Sequence, residues 1–317
     1  MKVFGPIPSR RLGQSLGINN IPPKTCSYSC VYCQVGRTSR MLTERREFYK
    51  PEDILNEVAE KIVSTRKANE IIDYITFVPD GEPTLDLNLG QMIEMLKPYN
   101  IKIAVITNGS LLWKKDVQED LFKADLVSIK IDSVLESVWR KINRPQHTLT
   151  LSKIIEGIDR FCQHFKGDLL TETMLVEDIN DFDESLKETA SLISWLDPTK
   201  AYLLIPTRPP AESWVKPPSN EAINNAFQIF DERLNKVELI TGYEGNDFVY
   251  TGNFEDELLS TLSVHPMREE AIESFIEKSM AGWSILQKLL TEKKLVEVEY
   301  AGNKFYQRNF NERMISN

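Results

Sequence analysis

The sequence predicts an α/β fold: a mainly parallel sheet with crossover helices, followed by a small α+β tail. Two features predict it. Runs of strand length alternate with amphipathic helical stretches through most of the 317 residues, the order that sets parallel strands side by side with helices as their connections. The strand-like runs are also rich in Ile, Val and Leu with little alternation, as expected when both faces of a sheet are covered.

In chain order the strand-like runs are SLGINNI (15–21), IIDYITFV (71–78), IKIAVIT (101–107), LVSIKID (126–132), LLTETMLV (169–176) and AYLLIP (201–206). Between them PEDILNEVAEKIVSTRK (51–67) reads as an amphipathic helix, with Pro51 at the first helical position, where an N–H is not needed. LNLGQMIEMLKP (87–98), KKDVQEDLFKA (114–124) and LSKIIEGIDRFCQHFK (151–166) read the same way. Six β-then-α units fit either a doubly wound sheet or an open barrel, and periodicity alone does not choose. The proline-rich stretch TRPPAESWVKPPS (207–219) cannot be a regular element and marks a boundary. A helix over SNEAINNAFQIFDERL and a further strand-like run, VELITG (237–242), follow it. From Glu255 the character changes. REEAIESFIEKS (268–279) and WSILQKLLTEKK (283–294) read as two short helices, and LVEVEY and KFYQR flank AGNK as a hairpin turning at Gly302. Two helices and a hairpin form the pattern of a winged helix. The expected organisation is a barrel or sheet over 1–210, a linker and extension over 211–254, and a winged-helix-like domain over 255–317.

Composition excludes several classes. Hydrophobic content of 41% and charged content of 27% are ordinary for a soluble globular chain. No apolar run approaches the roughly 20 residues of a membrane helix, and MKVFGPIPSRRLG lacks the apolar core of a signal peptide. A formal charge of −9, from 38 Lys+Arg and 47 Asp+Glu, does not attract polyanions at long range. Four cysteines are too few for a disulfide framework, so a cytoplasmic location is expected.

Three of those cysteines crowd into KTCSYSCVYCQVGRT (24–38), as Cys26, Cys30 and Cys33. A structural zinc site needs four closed ligands. The remaining thiol, Cys162, falls on the apolar stripe of a helix, and His147, His164 and His265 show no ligand spacing with the three. A disulfide would leave an odd thiol. An iron–sulfur cluster on three thiolates, by contrast, leaves one iron open to another ligand.

The spacing C-x3-C-x2-C, with Tyr32 directly before the last cysteine, resembles the radical S-adenosylmethionine (SAM) superfamily. The resemblance implies a [4Fe–4S] cluster on Cys26, Cys30 and Cys33, with SAM chelating the fourth iron through its amino and carboxylate groups. Reductive cleavage of SAM would then give a 5′-deoxyadenosyl radical that abstracts hydrogen from substrate. It also implies an open (β/α)6 barrel over about residues 10–210, a site at the strands' C-terminal ends, and an electron donor such as ferredoxin or flavodoxin. FVPDGEPTL resembles the family's Gly-Gly-Glu-Pro-like turn, which holds the SAM amino group: Gly81, Glu82 and Pro83 match, and Asp80 replaces the first glycine. Further SAM contacts implied by position are Tyr32, Asn108 in TNG, and Ser128, Lys130 and Asp132, which alternate and should share one face. Glu172, Thr173, Ile205 and Pro206 are candidates at later strand ends.

The substrate stays open. GPIPSRRLGQSLGIN, the cysteine segment and GEPTL resemble a group of iron–sulfur oxidoreductases related to the enzymes that build the wyosine base in tRNA. Those tRNA enzymes carry extra cysteines for a second cluster, which this chain lacks. The expectation is hydrogen abstraction from an unidentified small molecule, peptide or RNA. The alternatives are a tRNA- or nucleotide-modifying enzyme and a non-catalytic iron–sulfur adaptor or regulator. Arg10, Arg11, Lys24, Arg37, Arg40, Arg45, Arg46 and Lys50 cluster in sequence around the cysteine loop, and Arg144 and His147 follow the fourth run. They read either as a mouth that receives an anion or as a solvated face. Residues 255–317 hold eight Lys/Arg against eleven Asp/Glu, so protein contact, a peptide substrate or packing over the barrel opening ranks above DNA.

Overall fold

The computed structural model describes residues 2–242, 245 and 248–309. The chain opens with an antiparallel hairpin of β1 (Val3–Ser9) and β2 (Gly13–Ile18), Val3 opposite Ile18 and Ser9 opposite Gly13. β1 is absent from the runs read in the sequence because Pro6 and Pro8 interrupt it, and such a strand is tolerated only at a sheet edge. Two short parallel strands, β3 (Thr25–Cys26) and β4 (Arg40–Met41), bracket the cysteine loop. The alternating part then runs α1 (Pro51–Lys67), β5 (Tyr74–Phe77), α2 (Leu89–Leu96), β6 (Lys102–Thr107), α3 (Lys115–Leu121), β7 (Leu126–Lys130), α4 (Glu136–Asn143), α5 (Leu151–His164), β8 (Asp168–Met174), α6 (Asp183–Leu196), β9 (Lys200–Leu204), α7 (Asn220–Asp231) and β10 (Val237–Ile240). The tail consists of α8 (Phe254–Val264), β11 (Met267–Arg268), α9 (Glu269–Ser279), α10 (Trp283–Thr291), β12 (Leu295–Tyr300) and β13 (Asn303–Arg308).

The main sheet has the order β1-β2-β5-β6-β7-β8-β9-β10, parallel from β2 onward. This order settles what periodicity left open. A doubly wound sheet reverses its strand order at a switch point; here neighbours follow the chain without reversal, so right-handed crossovers put the helices on one face, as in a barrel. The six strands from β2 to β9 give the expected partial (β/α)6 barrel. β10 adds a parallel strand at one edge and β1 an antiparallel one at the other.

The two faces of the sheet differ. Ile75, Phe77, Ile103, Val105, Val127, Ile129 and Leu203 pack outward against Ile54, Val58, Ile62, Met92, Ile158 and Phe161 of the helices. In α1 the buried residues recur at helical spacing, Pro51 starts the helix, Glu52 and Asp53 lie in its first turn and Arg66 and Lys67 in its last, which suits the helix dipole. The other face carries a smaller apolar cluster of Leu12, Ala104, Leu126, Leu170, Tyr202, Leu204 and Ile240. Along β7 and β8 this face turns polar toward the C-terminal end, through Ser128, Lys130 and Glu172.

The tail keeps its own core, including Phe254, Leu258, Leu262, Ile272, Phe275, Leu289 and Tyr306. Its sheet order is β11-β13-β12, antiparallel. The expected hairpin turns at Ala301 (φ 48°) and Gly302 (φ 73°), two successive left-handed residues as a tight hairpin turn requires. α8 is a helix beyond the two expected; Glu257, Ser260 and Thr261 on its buried side break the apolar periodicity. Lys61 of α1 reaches Glu257 of α8 at 2.8 Å, so tail and barrel are joined by a largely buried ion pair.

Candidate functional site

A cavity of about 240 Å³ opens at the C-terminal ends of the parallel strands, and Cys26, Cys30 and Cys33 all border it. The loop that carries them is stapled on both sides. Toward the sheet, Glu82 N–H donates to Thr25 O at 3.1 Å, and Thr25 bridges Gly81. A Cβ on Gly81 would sit 1.8 Å from Thr25 O, so only glycine lets the β5 turn approach the strand leading to Cys26. Toward α4, Val31 N–H donates to Ile142 O at 2.9 Å and Ser29 N–H to Asn143 O at 3.0 Å. Cys33 N–H donates to Cys30 O and Gly36 N–H to Cys33 O, both at 3.1 Å, which winds the loop past its last cysteine.

Two of the sulfurs have amide neighbours. Asn108 Nδ2 donates to Cys26 Sγ at 3.5 Å and Asn143 Nδ2 to Cys30 Sγ at 3.4 Å. Burial pushes all three thiols up; Glu82 adds to the effect at Cys26, and Asp132 helps drive Cys30 up to about 12. Thiols in such a place ionise only against a strong positive charge, which a bound metal would supply. Among the described residues no three His, Cys, Asp or Glu side chains converge on a single-ion site. Three thiols spread around one cavity suit a body wider than one ion, so the donor set fits a cluster.

The other expected contacts separate into two groups. Tyr32, Asp80, Gly81, Glu82, Asn108 and Lys130 line the cavity; Ser128 and Asp132 do not. Glu82 spends its carboxylate inside the protein, accepting from Thr84 N and Oγ1, from Thr107 Oγ1 at 2.7 Å and from Asn108 N at 2.7 Å. It therefore ties the end of β5 to the end of β6. Ser128 lies a layer deeper, donating to Glu172 Oε1 at 2.7 Å. Asp132 leaves the face that Ser128 and Lys130 share, because β7 ends at Lys130. It accepts from Tyr32 Oη, Asn143 Nδ2 at 2.6 Å and Met174 N at 2.9 Å, and so orders the cysteine loop from behind. Thr173 also points away, donating to Ile131 O at 2.8 Å, whereas Ile205 and Pro206 line the cavity.

Glu172 is fully buried and holds two cations together: Arg11 Nη1 at 2.7 Å and Lys130 Nζ at 2.9 Å share its Oε2. Burial alone would raise its pKa, but Arg11, Lys130 and Ser128 outweigh that and hold the carboxylate down at about 2. The basic residues read as one cluster in sequence are dispersed in space. Arg10, Arg11 and Lys24 line the cavity. Arg37 and Arg144 both bind Glu212, Arg45 is buried beneath the loop, and Arg40, Arg46, Lys50 and His147 are exposed. Cys162, on α5, is half-buried against the outer core and does not border the cavity.

Three contributors escape the sequence reading: Asn143, Gln34 and Arg208. Asn143 ends α4 just before the left-handed Arg144 and Pro145, a helix stop that marks it as a polar residue at a site loop. Gln34 and Arg208 lie in segments without periodicity. Arg208 Nη1 donates to Gln34 Oε1 at 2.8 Å, and Gln34 Nε2 donates to Val264 O at 2.8 Å, which links the cysteine loop to the end of α8.

The chain resembles known proteins over most of its length. Residues 20–193 match the family model described as the Radical SAM superfamily. Over 98% of this chain and 97% of the relative's, the sequence is 51% identical to a UPF0026 protein of Methanocaldococcus jannaschii. A UPF0026 protein of Synechocystis is 38% identical over 65% of this chain and 76% of its own. Among solved structures, a radical SAM methyltransferase from Sphaerobacter thermophilus aligns with a TM-score of 0.55 at 18% identity, over 72% of this chain and 66% of that one. Streptococcus suis SuiB bound to S-adenosylmethionine aligns with a TM-score of 0.51 at 14% identity, over 72% of this chain and 51% of that one. These two share the fold. With the cysteine spacing, the sheet order and the matched domain all in agreement, the chain belongs to the radical SAM superfamily.

Proposed function

We propose that this protein is a radical SAM enzyme that holds a [4Fe–4S] cluster on Cys26, Cys30 and Cys33 and abstracts hydrogen from its substrate. The observation that carries the proposal is the convergence of those three thiols on one cavity at the strand ends. When bound, the cluster and SAM supply reductive cleavage to a 5′-deoxyadenosyl radical, with the electron coming from a donor such as ferredoxin or flavodoxin.

The chain's own residues bind, orient and exclude water. Gly81 lets the β5 turn close on the strand before Cys26, and Glu82 fixes the turn's backbone, whose polar groups would hold SAM. Asn108, Asp80 and Lys130 add polar side chains to the same wall. Lys130 keeps its charge because Glu172 beside it offsets the cost of burial. Val78, Ile205, Pro206 and Leu204 supply the apolar lining that keeps a reactive species from water. We read the tail, with helices, a short strand and a hairpin, as a winged-helix-like module that packs beside the opening.

The test uses the full chain, reconstituted without oxygen and mixed with SAM and dithionite. Iron, labile sulfide and 5′-deoxyadenosine are measured for the natural chain, Cys30→Ala and Cys162→Ala. The natural chain and Cys162→Ala are expected to carry the cluster and cleave SAM, and Cys30→Ala to lose both. Zinc in place of iron, or equal loss in both variants, would sink the reading. A stable cluster that never cleaves SAM would point to an adaptor.

A further inference from the structure

The cavity's charge runs against that of the chain. The whole sequence carries −9, yet the described lining residues include five cations (Arg10, Arg11, Lys24, Lys130, Arg208) and three carboxylates (Asp80, Glu82, Glu172). Glu82 is turned into its own hydrogen bonds, and Glu172, fully buried, clamps Arg11 to Lys130. Among the described residues, cations therefore outnumber carboxylates in the lining between the strand ends and the hairpin turn.

The origin of these cations is informative. Lys24 and Lys130 lie within residues 20–193, the part shared across the superfamily, whereas Arg10, Arg11 and Arg208 lie outside it. Arg10 and Arg11 come from the turn of the β1–β2 hairpin, and Arg208 from the segment after β9. We read cations outside the matched residues as serving the substrate rather than the cofactor. Next to them a second cavity of about 110 Å³ shares Arg11 and Arg208 with the first and adds an apolar lining, including Ile7, Leu12 and Val264. Arg208 is braced there, donating to Gln34 Oε1 at 2.8 Å and lying 3.1 Å from His265 Nε2. A braced guanidinium presents its donors with little further loss of freedom, and its planar fork suits two oxygens of a carboxylate or phosphate.

We propose that Arg10, Arg11 and Arg208 form an anion-binding wall that seats a small substrate bearing a carboxylate or phosphate. The proposal rests on the radical SAM reading for the reaction, while the wall is defined by the chain's own charges. A long polyanion is not the occupant: the chain is acidic, and residues 255–317, whose described part packs beside the cavity, carry eight Lys/Arg against eleven Asp/Glu.

The experiment titrates inorganic phosphate and, separately, malonate into the full-length reconstituted protein with SAM bound, by calorimetry. At least one anion is expected to bind at a single site. Arg208→Gln and Arg10→Gln should each weaken it roughly tenfold, the usual loss for one charged hydrogen bond, and Arg40→Gln, on an exposed part of β4, should leave it unchanged. Preference for phosphate would assign a phosphate ester, and preference for malonate a carboxylate. Arg10→Gln carries the test alone if Arg208→Gln does not fold. Binding of neither anion, or binding indifferent to Arg10, overturns the wall, as would an RNA oligonucleotide that displaces both probes. Iron, sulfide and SAM cleavage measured on the same sample separate the two readings. A working cluster without anion binding removes only the wall, and anion binding without a cluster removes only the cofactor.

Discussion

Glu172 shows how a buried charge can organise a site without meeting a ligand. Its Oε2 accepts from both Arg11 and Lys130, so the hairpin turn and β7 are held to β8 through one carboxylate. The folded pKa of about 2 lies below the ordinary 4.5, so the stabilisation is fully present above about pH 5 and is lost as pH falls toward 2. The displacement corresponds to about 3 kcal/mol. Glu172→Gln is expected to lower neutral-pH stability by that order, since Arg11 and Lys130, both half-buried, lose the carboxylate they share. Its unfolding midpoint in urea should also fall less steeply than the natural chain's between about pH 5 and pH 3. An equally steep acid limb would show that Glu172 is not the group responsible. At this scale the sequence was partly legible. Cysteine spacing and the Gly81–Glu82–Pro83 turn carry local signatures, and the structure brings both to the cavity. Gln34 and Arg208 carry none, because they meet through folds of loops whose path no periodicity encodes.

Among elements, the segment between β4 and α1 has little secondary structure of its own and is held by Arg45. Its side chain, 5% exposed, donates to Thr84 O at 2.9 Å, Asp86 O at 2.7 Å and Asp116 Oδ2 at 2.7 Å, and also to Asp120. The basic run that reads in sequence as a solvated or anion-receiving face is thus split, with Arg45 inside and Arg46 outside. Arg45→Ala is expected to cost about 2–3 kcal/mol in urea unfolding, because the Thr84 and Asp86 carbonyl oxygens lose their charged donor and Asp120 keeps only the more distant Lys123. Arg46→Ala should change stability by less than about 0.5 kcal/mol. Parity between them would refute the anchoring role. The elements most legible in sequence are the central strands, buried on both faces, and long helices such as α1 and α5. β1 escapes because prolines break its pattern, α4 is short, and α8 buries Glu257, Ser260 and Thr261 where apolar residues would announce a helix.

For the whole molecule, the tail is part of the cavity's surroundings. Gln34, directly after Cys33, donates to Val264 O, and Glu257 of α8 accepts from Lys61 of α1 at 2.8 Å. Glu257 also accepts from Thr251 N and Thr251 Oγ1, so one carboxylate fixes both the entry to α8 and its seat on the barrel. Glu257→Ala is expected to raise amide hydrogen exchange across residues 250–265 while leaving β6 and β7 protected. Uniform change, or none, would show that the seat lies elsewhere.

β1 rests on residues that follow it far along the chain. Val249 N–H donates to Pro6 O at 3.3 Å, Ile7 of β1 packs on the core of the tail, and α8 lies along β1. A chain emerging from the ribosome therefore carries an unfinished surface around Ile7 until α8 has followed it. Its closing contact spans most of the chain, which makes completion slow and leaves the nascent chain exposed to wrong partners in the interval. Translation cut short after β10 would yield an intact parallel sheet whose opening hairpin still lacks its cover.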